Sequence, residues 1–323
     1  TASDSASGNA TAEANIGTAI YQSASATSGD ATIALTNDGD ITVGAVANAT
    51  ASSGNASADA TVSFLYQSAE VNGGSGDASA SFTNNGNVSV SAIANASAGL
   101  AANASANATG ISSQYAYNSG TGDASVSIVN ASGATYSVAA AANATGSDAI
   151  ANAEVDYPAY QYVSADDGDA TVSIVNDGAV TVSAVAIANA DVANADASAD
   201  IDDIFYQGAS VSGPGNASVS YAGAGSIDIT GIARASGITA ATADVQIGTV
   251  FYQTVSADTG DASASIALDG PVAVSGIANA IAASGAEADA TLDAFITQDV
   301  TATDGSASAV VAIGTGGSVD IDL

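Results

Sequence analysis

Residues 168–183 read GDATVSIVNDGAVTVS, and this stretch decides the fold class. Small or apolar residues occupy every second position of 168–174, which is the pattern of a strand with one buried face. Asn176-Asp177-Gly178 then predicts a turn, because Asn and Gly tolerate positive φ and Asp can hydrogen-bond to its own backbone. Val180 and Val182 alternate with polar residues after the turn, so a second strand follows it.

The same pattern recurs along the whole chain. An aromatic-polar pair marks each repeat, at intervals of 45, 51, 43, 46, 46 and 45 residues. Repetition at this scale predicts a solenoid or array, in which each unit packs its apolar face only on its neighbours. The pairs are Tyr21-Gln22, Tyr66-Gln67, Tyr117-Asn118, Tyr160-Gln161, Tyr206-Gln207, Tyr252-Gln253 and the degenerate Thr297-Gln298.

We predict an all-β fold, namely a parallel β-solenoid (β-helix) of about seven 46-residue repeats with two coils per repeat, in one domain over residues 1–323. Each coil would hold about 23 residues, so ~14 coils at ~4.8 Å would form a rod of ~67 Å. The alternation slips at Val185, which predicts a corner or bulge. Repeats start at residues 21, 66, 117, 160, 206 and 252, between half-repeats 1–20 and 297–323. The predicted core column is Val43, Val90, Val138, Val182, Ile229 and Val274.

Two other architectures fit parts of the pattern. Helix propensity alone would allow the Ala-rich runs to be helical. Against this, Gly and Asn punctuate the chain at short intervals, and Ala alternates with Ser, Asn or Asp. A tandem array of small sandwiches is the second alternative, but about 46 residues bury too little core to fold alone.

Composition excludes several functional classes. The chain contains no Cys, Met, Trp or His, and Arg234 is the single basic residue against 33 acidic ones, for a formal charge of −32. Disulfides, thiolate metal sites and lysine chemistry are therefore impossible, and we expect the protein not to be an enzyme. Nucleic acid is not an expected partner, because its binding requires Lys and Arg. No apolar run approaches the length of a transmembrane helix, so no transmembrane segment is expected.

Asn-Asp-Gly turns, Val-x-Val strands and the scarcity of Lys, Arg and Cys together give a family resemblance. The chain resembles the repetitive β-solenoid surface proteins of bacteria, which include adhesins and autotransporter passengers. This resemblance implies an extracellular or cell-surface location and a role without catalysis. It also implies that other cell-surface components could be partners.

Acidic residues after a glycine form a column that could hold calcium through oxygen ligands. The densest cluster is Asp166-Asp167-Gly168-Asp169, which makes Asp166, Asp167 and Asp169 the calcium candidates; no other cofactor is expected. The alternative is a solvated turn whose carboxylates accept local N–H groups. The column comprises Asp30, Asp77, Asp123, Asp169 and Asp261, with Asn216 and Ser306 as substitutes.

Asparagines form a second column, for which we predict an inward ladder of amides bonded from coil to coil. Its members are Asn48, Asn95, Asn143, Asn189 and Asn279, with Arg234 in the fifth repeat. Asn-x-Ser/Thr sequons make N-glycosylation a further hypothesis. The sequons lie at Asn9, Asn48, Asn55, Asn87, Asn95, Asn103, Asn107, Asn130, Asn143 and Asn216.

The column of tyrosines suggests corner anchors. With two coils per repeat the rings would lie ~9.6 Å apart, beyond aromatic contact. A conducting ladder is therefore not expected.

The two ends of the chain have nearly the same repeat phase, with Thr1 in the phase of Ala47 and Leu323 in that of Ala45. We therefore expect an extracellular filament subunit that assembles with itself head to tail; the alternative is the repeat stalk of a cell-surface adhesin. An ice-binding solenoid would need a regular Thr face and a polysaccharide lyase would need basic residues, so both rank lower. The predicted subunit interface comprises Ile16, Ile20, Tyr21, Val310, Ile313, Val319 and Ile321.

Overall fold

The computed structural model describes the backbone of residues 2–323 and the side chains of residues 7–111 and 113–323. Within this part of the chain there are strands and no helix, and the strands form three sheets in which the paired neighbours are parallel. The predicted all-β parallel solenoid is therefore confirmed.

The three sheets run the length of the solenoid, and each is named here by its strands. Sheet A contains β1 (Ala2–Ala6), β5 (Asp40–Ala51), β8 (Asn87–Ala98), β11 (Thr135–Gly146), β14 (Ala179–Ala190), β18 (Ile227–Ser236), β21 (Pro271–Ile281) and β24 (Ser318–Asp322). Sheet B contains β2 (Ala10–Ile16), β3 (Ile20–Ala26), β6 (Ala56–Val71), β9 (Ala101–Asn118), β12 (Asp148–Ala165), β15 (Asn194–Ile201), β16 (Phe205–Val211), β19 (Ala240–Ala257) and β22 (Ala286–Ala302). Sheet C contains β4 (Ala31–Asn37), β7 (Ala78–Asn84), β10 (Ala124–Asn130), β13 (Ala170–Asn176), β17 (Ala217–Gly223), β20 (Ala262–Leu268) and β23 (Ala307–Ile313).

Each repeat forms one coil, so the prediction of two coils per repeat is wrong. Ala78 pairs with Ala31 on one side and with Ala124 on the other, which places one whole repeat between neighbouring rungs. A coil is this long because the sheet B strand alone spans 16 to 18 residues in most repeats. Seven rungs of sheet C at ~4.8 Å give a body of ~34 Å, half the predicted length.

The long strand of sheet B holds the other two sheets together. Its first half packs against sheet A and its second half against sheet C. In β6, alternation breaks where Phe64 and Leu65 are both buried, and the pairing register with β9 shifts after Leu65. This irregularity places the largest buried side chains, including Phe82 of sheet C, where the three sheets meet.

Small side chains fill the narrow part of the interior. Ala47 and Ala49 of sheet A face the alanines of sheet B, such as Ala58 and Ala60, and all four are buried. Sheets packed this closely leave room only for methyl groups between their backbones. The Ala-rich runs are thus strands, and the helical alternative is wrong.

The predicted core column is confirmed in register and in burial. Val43 pairs with Val90, Val90 with Val138, Val138 with Val182, and the column continues through Ile229 to Val274. All of its members are buried except Val43, which is partly buried against the same cluster.

Val185 does not mark a corner, so that prediction is wrong. Strand β14 continues through it without interruption, and Val185 points outward between the buried Ala184 and Ala186. The physical reason is the alanine-lined interior at this level, which has no space for a β-branched side chain. The larger residue therefore takes the outer face.

Candidate functional site

A glutamine occupies the same place in every repeat and is buried in the five interior coils. Gln67, Gln114, Gln161, Gln207 and Gln253 are each at most 1% exposed. In each of these the side-chain Nε2 donates to Oε1 of the preceding glutamine at 2.7 to 3.2 Å. The same nitrogen also donates to a main-chain carbonyl of sheet C, such as Ser81 O at 3.1 Å. We call this column the glutamine ladder; it runs Gln22, Gln67, Gln114, Gln161, Gln207, Gln253 and Gln298.

The glutamine ladder satisfies the polar groups that it buries. An amide taken out of water costs free energy unless its hydrogen bonds are replaced. Here each interior amide donates twice and accepts once, and the second donation ties sheet B to sheet C within one coil. The ladder therefore both fixes the stacking register and closes the coil.

The ladder corrects the alignment of the third repeat. The pair Tyr117-Asn118 does not belong to the anchor column, because Tyr66 pairs with Ser113 and Gln67 with Gln114. With this register the ladder spacings are 45, 47, 47, 46, 46 and 45 residues. Asn118 instead stabilises a turn, where its side-chain oxygen accepts the N–H of Gly120 at 2.8 Å.

The two ends of the glutamine ladder are chemically different. Gln22 Nε2 donates only to Ala34 O, at 3.4 Å, and has no preceding glutamine among the described residues. Gln298 Nε2 donates to Gln253 Oε1 at 2.8 Å, while Gln298 Oε1 accepts no hydrogen bond from the described residues. One end therefore offers a donor and the other an acceptor.

Most of the predicted interface residues lie at inward positions of the two end coils. Ile16 and Ile20 pair with the buried Val62 and Leu65 at the N-terminal end. At the C-terminal end, the partners of Ile313, Val319 and Ile321 are Leu268, Val272 and Val274, all buried.

Val310 and Tyr21 lie on the outer surface instead. Val310 pairs with Ser265, an outward residue, whereas its neighbour Val311 pairs with the buried Ile266. Val311 thus occupies the inward position and is 45% exposed at the open end. The sequence Ala-Val-Val-Ala gives no alternation from which this phase could be read.

The predicted phase of the N-terminus is wrong by one residue. Thr1 lies outside the described residues, and it is Ala2 that pairs with Ala47.

The column of aspartates stabilises turns. The N–H of Asp77 donates to Asp30 Oδ1 at 3.0 Å, and the N–H of Asp123 donates to Asp77 Oδ1 at 2.9 Å. The pattern continues through Asp169 to Asn216, Asp261 and Ser306. The structural alternative to calcium is thereby supported for this column.

The calcium candidates are not gathered into a cage. Within the described residues, no three acidic side chains come together in an arrangement that could hold a metal ion, and this includes Asp166, Asp167 and Asp169. Asp169 Oδ1 accepts the N–H of Asn216 at 2.8 Å.

The predicted asparagine ladder lies on the outer face of sheet A, so the inward placement is wrong. Asn95 Nδ2 donates to Asn48 Oδ1 and Asn143 Nδ2 donates to Asn95 Oδ1, both at 2.9 Å. Beyond Asn143 the column continues as Ile187, Arg234 and Asn279, whereas Asn189 pairs with Thr145. The inward positions beside this column are alanines, which exclude an amide.

A buried asparagine ladder does exist, at the end of sheet C. Asn37 donates to Asn84, Asn84 to Asn130, and Asn130 to Asn176, at 2.8 to 2.9 Å. The sequence does not reveal this ladder, because its members match the first residue of an Asn-Asp-Gly turn. It also removes Asn130 from the accessible sequons, while Asn9, Asn55 and Asn103 remain exposed; glycosylation itself stays a prediction.

The tyrosines do contact each other, because each repeat forms one coil. Tyr21 stacks on Tyr66 with ring centroids 4.9 Å apart, and Tyr206 stacks between Tyr160 at 4.5 Å and Tyr252 at 5.2 Å. The predicted spacing of ~9.6 Å is therefore wrong. Ser113 interrupts the column between its two stacked sections.

The outer face of sheet B carries a crowded group of carboxylates. Partial burial raises the pKa of Glu154, Asp196, Asp200 and Asp202, and neighbouring carboxylates raise it further. The charges facing this group come from Asp156, Asp203, Asp244 and Asp293. No cation is available from the described chain, whose one basic residue lies in sheet A.

Mild acid should therefore stabilise the folded protein. These carboxyls have higher pKa values in the folded than in the unfolded state, so between the two values the folded state binds more protons. The free energy of unfolding should rise as the pH falls from 7 through the folded pKa values, and level off below the unfolded value of about 4. Urea denaturation at constant ionic strength measures this; a midpoint that falls steadily from pH 7 to 5 would contradict it.

Comparisons with known proteins add no relatives: no family model matches the chain, and no match is found among curated proteins or solved structures. The resemblance to surface adhesins thus stays a prediction. In the part of the chain that the structure describes, no helix is long and apolar enough to cross a membrane.

Proposed function

We propose that this protein is a structural subunit of an extracellular filament, in which copies stack head to tail as a continuous solenoid. The observation that carries the proposal is the donor end and acceptor end of the glutamine ladder. Placed in the register of the other coils, Gln22 Nε2 of one copy would donate to Gln298 Oε1 of the next. If two N-terminal ends met, both would bring a donor, and two C-terminal ends would both bring an acceptor. Neither pairing could form this hydrogen bond.

The strands at both ends support this arrangement. An edge strand presents unpaired N–H and C=O groups and is a template for a further strand. Strands β2, β3 and β4 are edges at one end, and β22 and β23 are edges at the other. Parallel addition of one to the other repeats the pairing already present between every two coils.

The apolar surface at the ends supports the same register. Val311 and Ile313 are exposed although they continue the buried columns of Ile266 and Leu268. On the other end, Leu35 of sheet C begins the column that ends at Ile266 and Val311. Leu35, Ile16 and Ile20 are only partly buried. Stacking would bury both sets and remove the exposed apolar surface.

Sheet A offers a seam of complementary half-strands. Strand β24 pairs with the first half of β21, from Pro271 to Ser275, and β1 pairs with the second half of β5, from Ala47 to Ala51. In a stacked pair, β24 of one copy and β1 of the next would together fill one rung. The interface would be heterologous, which propagates as an open fibre.

The charge sets the conditions for assembly. A formal charge of −32 on a body of ~34 Å is about one charge per ångström, denser than duplex DNA. Copies should therefore repel one another at low salt and stack as salt screens the charge. We infer no catalytic role and no cofactor for such a subunit.

The test is a pair of adjacent substitutions in the last strand of sheet C. Val311→Asp should abolish end-to-end stacking, because stacking would bury an unpaired carboxylate at an inward position. Val310→Asp introduces the same charge on the outer face and should leave stacking intact. Filament length by electron microscopy at physiological salt is the measurement.

Equal filaments from both variants would refute the stacking model. Isolated rods from the unmodified chain at every salt concentration would favour the adhesin-stalk alternative, in which coils continue along one covalent chain.

A further inference from the structure

The outer face of sheet A carries a partly exposed apolar column. In sheets with one solvated face the outward positions are normally polar. Here one outward column is aliphatic in all six full rungs, and its last member is 44% exposed. We call it the aliphatic rib; its members are Val46, Ile93, Ala141, Val185, Ile232 and Ile277.

Charge is nearly absent around the aliphatic rib. Strands β8, β11 and β14 contain no charged residue. The strands of sheet A carry five acidic residues and the chain's one arginine, whereas those of sheet B carry thirteen acidic residues. The strands of sheet C carry no charged residue either, but their outward positions are mostly Ser and Thr, so sheet A is the nearly neutral face that also carries an unbroken aliphatic column.

We propose that this face docks laterally on the same face of a second copy of the chain. The aliphatic ribs of the two copies would pack against each other across a two-fold axis, in an isologous contact. This contact is separate from end-to-end stacking, because it uses the side of the solenoid and not its ends.

The area of the face suits a stable pair. Strands of 12 residues span ~40 Å, and six rungs span ~29 Å, which gives ~1,100 Å² per copy. A standard stable interface buries about 800 Å² per partner. Contact over most of the face therefore reaches the area that a dimer needs.

The distribution of charge selects a second copy as the occupant. A partner with a basic surface would be drawn to the acidic outer face of sheet B, while the nearly neutral, aliphatic face of sheet A matches another neutral and apolar face. Sheet C is also uncharged, but its outer positions are mostly Ser and Thr, so the matching surface is sheet A of a second copy. In a pair joined through sheet A, the sheet B faces lie on opposite outer sides. Paired sheets stack ~10 Å apart, so more than a screening length of ~8 Å at physiological salt separates them.

The experiment uses a double substitution and a matched control. Ile93→Asp with Ile232→Asp places charges in the aliphatic rib at outward positions, so each copy should keep its fold. Ile150→Asp is the control, because Ile150 is an isolated exposed isoleucine on the outer face of sheet B. All three proteins are measured over a range of NaCl concentrations by sedimentation and by the width of particles in electron micrographs.

The unmodified chain should form particles of double width whose proportion rises with salt. The double variant should lose lateral association at least tenfold, and the Ile150 variant should match the unmodified chain. Single-width particles at every salt concentration, or equal weakening by the Ile150 substitution, would overturn the proposal. If circular dichroism shows that the double aspartate variant is unfolded, Ile93→Thr with Ile232→Thr replaces it, because threonine keeps the β-branched shape. Unchanged lateral pairing by the double threonine variant would overturn the proposal.

Particle length separates this result from end-to-end stacking. A chain that carries Val311→Asp should still form double-width rods of ~34 Å. Loss of the double width with retained filament length therefore reports on the lateral contact alone. Loss of length with retained double width reports on end-to-end stacking alone.

Discussion

We expect Val182→Asp to destabilise the solenoid more than the other substitutions proposed for its middle coils. Val182 is fully buried between Val138 and Ile229, and the described chain has no cation near enough to pair with a carboxylate there. A buried, unpaired carboxylate costs several kcal/mol even after it takes up a proton. We expect a loss of about 4 kcal/mol or more, which is in the range of the most damaging substitutions.

The matched control for Val182→Asp is its neighbour. Thr181 is exposed on the outer face of the same strand, so Thr181→Asp adds the same charge without burying it. Urea denaturation followed by circular dichroism should show a large shift for the first variant and a small one for the second. Equal shifts would mean that Val182 does not face the core.

Gln161→Glu is the second substitution with a large expected effect. The introduced carboxylate cannot donate to Gln114 Oε1 or to Ser173 O, which Gln161 Nε2 now reaches at 2.7 and 3.3 Å. The buried Gln114 Oε1 and the part-buried Ser173 O lose this donor, and a charge replaces a neutral amide in the interior. Each unsatisfied buried group costs about 1–3 kcal/mol, so a loss of about 3 kcal/mol or more is expected at neutral pH.

The pH dependence of Gln161→Glu identifies its cause. Burial raises the pKa of the introduced carboxyl, so the penalty is largest above that pKa and shrinks as the carboxyl takes up a proton at lower pH. Gln246→Glu is the control for the added charge, since Gln246 is exposed on sheet B beside Asp200 and the introduced carboxylate would lie at the surface. A Gln161 variant as stable as the Gln246 variant at pH 7 would show that the glutamine ladder contributes little.

Local patterns in the sequence predicted the strands of sheet C and the valine column, because both follow a strict alternation of small or apolar with polar residues. The number of coils per repeat could not be read in the same way. A repeat of about 46 residues divides equally well into two short coils or one long one, and the choice depends on the 16- to 18-residue strands of sheet B. Their alternation breaks at the Phe64-Leu65 irregularity, which conceals their continuity.

The sequence pattern gives the least information about the residues that matter most for assembly. In the sequence, Gln22 and Gln298 stand out only as markers of the repeat, because glutamine is usually a surface residue. The burial of the ladder glutamines depends on hydrogen bonds to carbonyl groups of sheet C, about 13 residues further along the chain. The inward phase of Val311 and the outward phase of Val185 likewise depend on strands in neighbouring coils, so pairing decides them and local sequence does not.

The central claim is that copies stack end to end as one continuous solenoid, and its most direct test is the axial repeat of filaments formed by residues 1–323. Cryo-electron microscopy with helical reconstruction should show one subunit per ~34 Å, with rungs every ~4.8 Å that continue across the subunit boundary. The glutamine ladder should cross that boundary from Gln298 to Gln22. Filaments whose subunit repeat differs from seven rungs, or whose rungs are interrupted at the boundary, would contradict the account.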